Sequence, residues 1–307
     1  MKRDTKGRIN ALVGAVSYGA NPLFALPLFA GGIEVNSVLF YRYFFAVMIY
    51  GVWIKFFKKI SLKISIKEFC VLFILGLLFS FSSLTLFWAF NYIEAGIACT
   101  ILFIYPVMVA IIMALFFGEK ITKGIVFSIL LTSIGISLLY KGKAGAVLNL
   151  YGVILVLSAS LFYALYMVGI KTIGAVKHMK SEKLSFYVML FGLLVYVFNL
   201  RFCTQLQILD GPMMLFFALA LAIFPTIVSF ETTIIAIKLI GSTTTAILGA
   251  LEPITALFCG IVFFGEHLTP KIILGVLLIL IGVSIVILRS KNPSIKGFKT
   301  HRNVLSK

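Results

Sequence analysis

Phe116-Phe117-Gly118-Glu119-Lys120 returns 147 residues later as Phe263-Phe264-Gly265-Glu266-His267, and each copy closes one apolar segment and opens the next. The match extends to both sides at the same offset, with Pro106 over Pro253, Gly135 over Gly282 and Ser137 over Ser284. At an offset of 146, Phe40, Tyr41, Phe45 and Tyr50 fall over Phe186, Tyr187, Phe191 and Tyr196. The chain is two copies of one unit.

Composition says where that unit works. A mean hydropathy of +1.12, with 61% apolar and only 12% charged residues, lies outside the range of a water-soluble core-and-surface protein. A bilayer core roughly 30 Å thick needs about 20 apolar residues per helix at a rise of about 1.5 Å each. Ten such stretches are present, near residues 9–29, 36–54, 69–90, 95–117, 122–140, 150–170, 184–202, 212–237, 241–264 and 270–289. Their apolar residues run on instead of alternating, which argues against a β-barrel. The expected fold class is all-α, a polytopic membrane protein of ten transmembrane helices.

The first helix follows a basic tail and lacks the short apolar core and small-residue site of a cleavable signal, so it is expected to be retained. Cys70, Cys99, Cys203 and Cys259 show no CxxC spacing and read as small packing residues. With the amino terminus inside, 22 of the 27 lysines and arginines fall on cytoplasmic segments, the positive-inside pattern. That distribution accounts for the net charge of +17 as topology, with both termini cytoplasmic and no nucleic-acid partner. The basic tail and the loop 55–67 could also meet anionic headgroups.

Five helices separate equivalent points in the two halves, and five is odd, so the second copy crosses the membrane in the opposite sense. Inverted repeats place a shared site near the midplane that rocking exposes to alternate sides. The expected units are residues 1–140 and 150–290, followed by a basic tail at 291–307. The chain resembles the drug/metabolite transporter superfamily, in particular its EamA-like ten-helix branch. The resemblance is carried by Ser17-Tyr18-Gly19-Ala20-Asn21-Pro22, by Tyr41-Arg42-Tyr43, and by the paired segments from Pro106 to Gly135 and from Pro253 to Gly282. It implies a 5+5 inner-membrane carrier of small metabolites, often an exporter of amino acids or related compounds, with helices 5 and 10 peripheral to the cavity.

The repeated acids look chemical, but their setting is structural. Gly118 and Gly265 suit the left-handed position that ends a helix, Thr122 and Thr269 can cap the next one, and Pro270 fits its first turn. Glu119 and Glu266 would then favour the positive end of the following helix.

Glu252 is different, because it stands near mid-membrane, where an acid costs at least about 2.5 kcal/mol and normally faces a partner or a wet cavity. It could bind a cationic group, exchange a proton or pair with a structural partner. Pro253 beside it removes a backbone donor. Its repeat mate is Tyr105, expected to face it at the same level with a hydroxyl and an aromatic face. Glu231, beyond a bend at Pro225, could gate or accept a proton, or could pair with Lys238 or a basic loop residue; its mate is Leu84. Arg42 could hold a substrate carboxylate bidentately, or pair with Glu34 or Glu94; its mate is Val188. Asn21-Pro22 and Pro27 interrupt the first helix, which places Tyr18 and Asn21 at the cavity. Tyr163, Tyr166 and Trp88 are further aromatic candidates for its wall.

The function these residues suggest is a secondary carrier moving a small amphipathic metabolite, an amino acid or its derivative, by alternating access. The partners are that substrate and the bilayer, with proton coupling through Glu252 or Glu231 as an open option; the sequence selects no oligomeric state. No cofactor or metal is called for, and no GxxxxGK[ST] loop is present to bind ATP. An importer or exchanger of nucleotides, nucleotide sugars or other anions would want several cavity cations, whereas Arg42 is the one convincing intramembrane base. A lipid-directed enzyme would need clustered acids, histidines or an activated nucleophile, but His178, His267 and His301 are scattered in loops and tail.

Overall fold

The computed structural model describes residues 3–118, 123–140, 149–249, 251–265 and 269–290. Among these, every regular element is helical, and eight helical stretches are long and apolar enough to span a bilayer. The first half runs α1 (Arg3–Gly19), α2 (Asn21–Ala30), α3 (Val35–Val52), α4 (Ile66–Ala89), α5 (Ala95–Leu102), α6 (Tyr105–Phe117) and α7 (Lys123–Tyr140). The second runs α8 (Leu150–Thr172), the single turn α9 (Gly174–Lys177), α10 (Ser181–Asn199), α11 (Gly211–Ala222), α12 (Ser229–Ile240), α13 (Ser242–Leu248), α14 (Leu251–Phe264) and α15 (Pro270–Ser290). A π-helical turn extends α3 over Trp53–Lys58, and a second joins α11 to α12 over Ile223–Val228. The two stretches beyond the eight are α7 and α15, which complete the ten expected helices.

Local signals explain the boundaries. A reciprocal capping box starts α4: the Glu68 amide donates to Ser65 Oγ, while Glu68 Oε2 accepts from the Ser65 amide at 2.7 Å. Asn149 Oδ1 accepts from the Tyr151 amide to start α8. Gly118 and Gly265 take φ of 69° and 65°, the left-handed backbone expected of helix-ending glycines, and α15 begins at Pro270. The capping roles expected of Glu119, Thr122 and Glu266, like the tail 291–307, lie outside the described residues.

Packing follows the inverted repeat. α1 packs on α12 as α8 packs on α4, and α5 meets α14 as α13 meets α6, so each interface recurs with the halves exchanged. The mates α7 and α15 pack chiefly on each other. Single tyrosines repeat the pattern at opposite faces. Tyr41 Oη donates to the Gln207 carbonyl at 2.8 Å near one membrane surface, and its mate Tyr187 donates to the Leu62 carbonyl near the other.

Three spans are broken, the first at the interruption expected from Asn21-Pro22 and the other two within runs read as continuous. The first divides at Ala20, where Pro22 cannot donate to the preceding turn and Asn21 Nδ2 instead bonds the Tyr18 carbonyl at 2.7 Å. The fourth divides between Leu102 and Tyr105, and the ninth between Leu248 and Leu251, each just ahead of a proline. Apolar composition fixes the length of a span but says little about such breaks, which tertiary contacts stabilise.

Candidate functional site

The half-helices α6 and α14 begin within one residue of mate positions, so Tyr105 and Glu252 both stand in first turns, and the two meet. Tyr105 Oη donates to Glu252 Oε1 at 3.0 Å, and Glu252 is only 6% exposed. Glu252 lies ten residues past the start of α13, roughly 15 Å along the span at the usual rise, and its own amide donates to the Gly249 carbonyl at 2.8 Å. Two glycines make room for it. A Cβ on Gly249 would fall 2.1 Å from Tyr105 Oη, and one on Gly19 would fall 2.5 Å from the Glu252 carbonyl oxygen.

An aromatic series leads away from this pair. Tyr105 packs edge-on against Tyr163 at 4.7 Å between centroids, and Tyr163 stacks on Tyr18 at 5.7 Å with the planes 6° apart. Tyr166 continues from Tyr163 at 6.1 Å. The Arg42 guanidinium carbon lies 5.9 Å from the centroid of Tyr18, 5.8 Å from Tyr43 and 5.4 Å from Phe87. Cation and acid thus sit on the two sides of one cluster of tyrosines, with Tyr18 and Tyr163 between them. All of these side chains are buried, so neither face of the membrane opens onto them in this conformation.

Arg42 does not form the expected ion pair with Glu34 or Glu94. Its Nε donates to Thr226 Oγ1 at 2.7 Å and its Nη2 to the Pro225 carbonyl at 3.3 Å, both in the π-turn of the opposite half. The described ion pairs are Asp4–Arg8 and Lys58–Glu182, both at the surface. Arg42 Nη1, Tyr18 Oη, Tyr166 Oη and Asn21 Oδ1 are buried without a hydrogen-bond partner among the described residues. Unpartnered polar atoms at such depth are costly, and each has hydrogen-bonding capacity to offer a ligand or water.

Glu231 does not take the alternative of an ion pair with Lys238. Its Oε2 accepts from Tyr50 Oη and, at 2.9 Å, from Ser185 Oγ, which ties α12 to α3 and α10. Lys238 donates instead to the Met179 carbonyl, because a seven-residue separation puts it two turns nearer the surface. The mate of Tyr50, Tyr196, donates to the Ser80 carbonyl at 2.9 Å and so ties α10 to α4 in the other direction. The acid therefore belongs to one of the two ties only.

Trp88 stays apart from the cluster. It is 39% exposed and lines an outward groove of about 390 Å³ with Asn36, Thr85, Tyr151 and Asn199, whereas its neighbours Phe87 and Ala89 on α4 turn inward and are fully buried. Sequence reasoning passed over Tyr43, Ser80, Ser83, Thr226 and Ser185. Tyr43 Oη lies 3.1 Å from Ser83 Oγ, and Ser80 Oγ and Ser82 Oγ are further buried orphans. The polar run Ser80-Phe81-Ser82-Ser83 inside an apolar span was a usable signal, since lone hydroxyls at that depth need partners. Thr226 stood beside a proline already read as a bend.

Spanning helices, repeated interfaces and a buried polar centre where two broken helices meet define a membrane transporter built as inverted repeats. The EamA-like transporter family model matches residues 5–141 and 150–288, so the chain belongs to that family and is a carrier of the drug/metabolite transporter type. A solved structure described only as "Crystal structure of protein" matches with a TM-score of 0.71 at 15% identity, over 94% of this chain and 100% of that one, which supports the fold alone. No curated protein matches the sequence.

Proposed function

We propose that the protein is a secondary carrier that exports an amino acid or amino-acid derivative by alternating access, with Arg42 taking the carboxylate and Glu252 the ammonium group. One observation carries this reading: an arginine with an unpartnered Nη1 and an acid held by one tyrosine flank Tyr18 inside a single buried cluster. A zwitterion presents one carboxylate and one ammonium group, the two charges that an arginine and an acid would each recognise. Burying either charge alone would cost several kcal/mol, and a zwitterion compensates both. Tyr18 and Tyr163 supply ring faces for the ammonium or an apolar side chain. Tyr166 and Asn21 add uncommitted polar atoms.

Glu252 is also the proposed site of proton exchange, its proton replacing the substrate ammonium in the return step, and Glu231 gates the inner side. Export follows from the resemblance to ten-helix metabolite carriers, and the basic cytoplasmic segments favour a cell inner membrane location with both termini inside. The proposed structural units are residues 1–140 and 150–290, followed by the basic tail at 291–307.

Counterflow in proteoliposomes, with labelled amino acids, their decarboxylated amines, nucleotides and sugar phosphates, tests the reading. Arg42→Ala should abolish amino-acid flux, and Glu252→Gln should abolish its dependence on a pH gradient. Flux of nucleotides or sugar phosphates with none of amino acids would overturn it in favour of an anion exchanger.

A further inference from the structure

Arg42 belongs to the first half, but both of its hydrogen bonds go to the second. Their acceptors exist because of one proline. Pro225 has no N–H to offer the Leu221 carbonyl four residues back, and Thr226 Oγ1 donates to that carbonyl at 2.9 Å. A hydroxyl has one proton and two lone pairs, so Thr226, having given its proton to Leu221, meets Arg42 Nε as a pure acceptor at 2.7 Å. The Pro225 carbonyl, turned by the π-turn, takes Nη2. The guanidinium is thereby held at two of its three nitrogens, and Nη1 is left over.

We propose that Thr226 is a positioning residue that orients Arg42, and that this contact couples the central cluster to the inner tie at Glu231. This rests on the proposed reading of Arg42 as the carboxylate site. The π-turn ends at Val228 and α12 follows without a break, with Glu231 in its first turn bonded to Tyr50 and Ser185. A movement of the guanidinium toward a bound carboxylate pulls on Thr226 and the Pro225 carbonyl, hence on the segment that sets the start of α12. π-Turns and proline bends are the places where a helix changes direction at least cost. The opposite half has no counterpart, since Thr226 lies over Phe79 at the 147-residue offset and α4 is unbroken from Ile66 to Ala89. Only one of the two ties is wired to the centre in this way, and it is the one that carries an acid.

Thr226→Val is nearly isosteric and removes the hydroxyl, whereas Thr226→Ser keeps it. Hydrogen exchange of the full chain in lipid nanodiscs, read by mass spectrometry, tests the coupling without a known substrate. Thr226→Val and Arg42→Met should each speed amide exchange at least about tenfold across 221–235, which includes the turn bearing Glu231, because each removes two buried hydrogen bonds. Exchange across 74–83 in α4 should stay as in the wild type, and Thr226→Ser should match the wild type throughout. Unchanged exchange at 229–235 in Thr226→Val, or an equal rise in Thr226→Ser, would overturn the proposal. Adding a mixture of the twenty L-amino acids to the wild type bears on the substrate alone. If the variants respond and the mixture does nothing, the positioning role stands and the amino-acid reading falls.

Discussion

Gly249 offers a sharp test of the central cluster. An alanine Cβ there would lie 2.1 Å from Tyr105 Oη, about 1.3 Å short of ordinary contact at 3.4 Å, and 3.3 Å from Glu252 Oε1. The tyrosine must withdraw its hydroxyl by more than 1 Å, which breaks the 3.0 Å bond to Glu252. The loss combines a hydrogen bond to a carboxyl, about 1.5–3 kcal/mol, with an overpacking cost of about 1–3 kcal/mol. Tyr105→Phe removes the same bond but creates no clash, so it should cost only the first part. In the Tyr105→Phe background the atom nearest the new methyl is gone, and Gly249→Ala should then cost about 1–3 kcal/mol less than it does alone. The remaining close approach, 2.8 Å to the Ala246 carbonyl, belongs to the same turn and persists in both backgrounds. Thermal unfolding of all four proteins in one detergent completes the cycle. Additive effects within about 0.5 kcal/mol would refute the contact between Gly249 and the Tyr105 hydroxyl on which the site is built.

Tyr50→Phe removes one of two donors to Glu231, for about 1–3 kcal/mol, whereas Tyr196→Phe removes a bond to a neutral carbonyl, for about 0.5–1.5 kcal/mol. The first should therefore lower both the melting temperature and the transport rate more than the second, as read by unfolding and proteoliposome flux. Trp88→Ala should leave substrate affinity within about 0.5 kcal/mol of the wild type, measured by competition counterflow, since that side chain faces the outward groove.

Much of this was legible in the sequence because symmetry and apolarity are both linear properties. Repeated Phe-Phe-Gly-Glu segments at a fixed offset, separated by five apolar spans, imply inverted halves whatever the packing, and mate positions near the midplane then lie at the same level. That logic paired Tyr105 with Glu252 correctly, and it flagged the prolines near which helices break. It failed where a side chain chooses among partners remote in sequence. For Arg42 and Glu231 the structural alternative offered was a pair with an opposite charge, because opposite charges are what a sequence displays as partners. Inside the bundle the Pro225 carbonyl and the hydroxyls of Thr226, Tyr50 and Ser185 are their hydrogen-bond partners instead, and these donors and acceptors become visible only when the chain is folded.

The sequence alone determined that the chain spans a membrane, that its halves are inverted copies, and which polar residues lie at depth, since each follows from the order and spacing of residues. Only the tertiary structure decided that Tyr18 and Tyr163 stack between an arginine and an acid, that Trp88 faces outward, and that Glu231 closes one tie while its mirror tie has no acid. Those outcomes depend on which face each helix turns inward, and a nearly uniform apolar helix carries little amphipathic signal to fix that face before its neighbours pack against it.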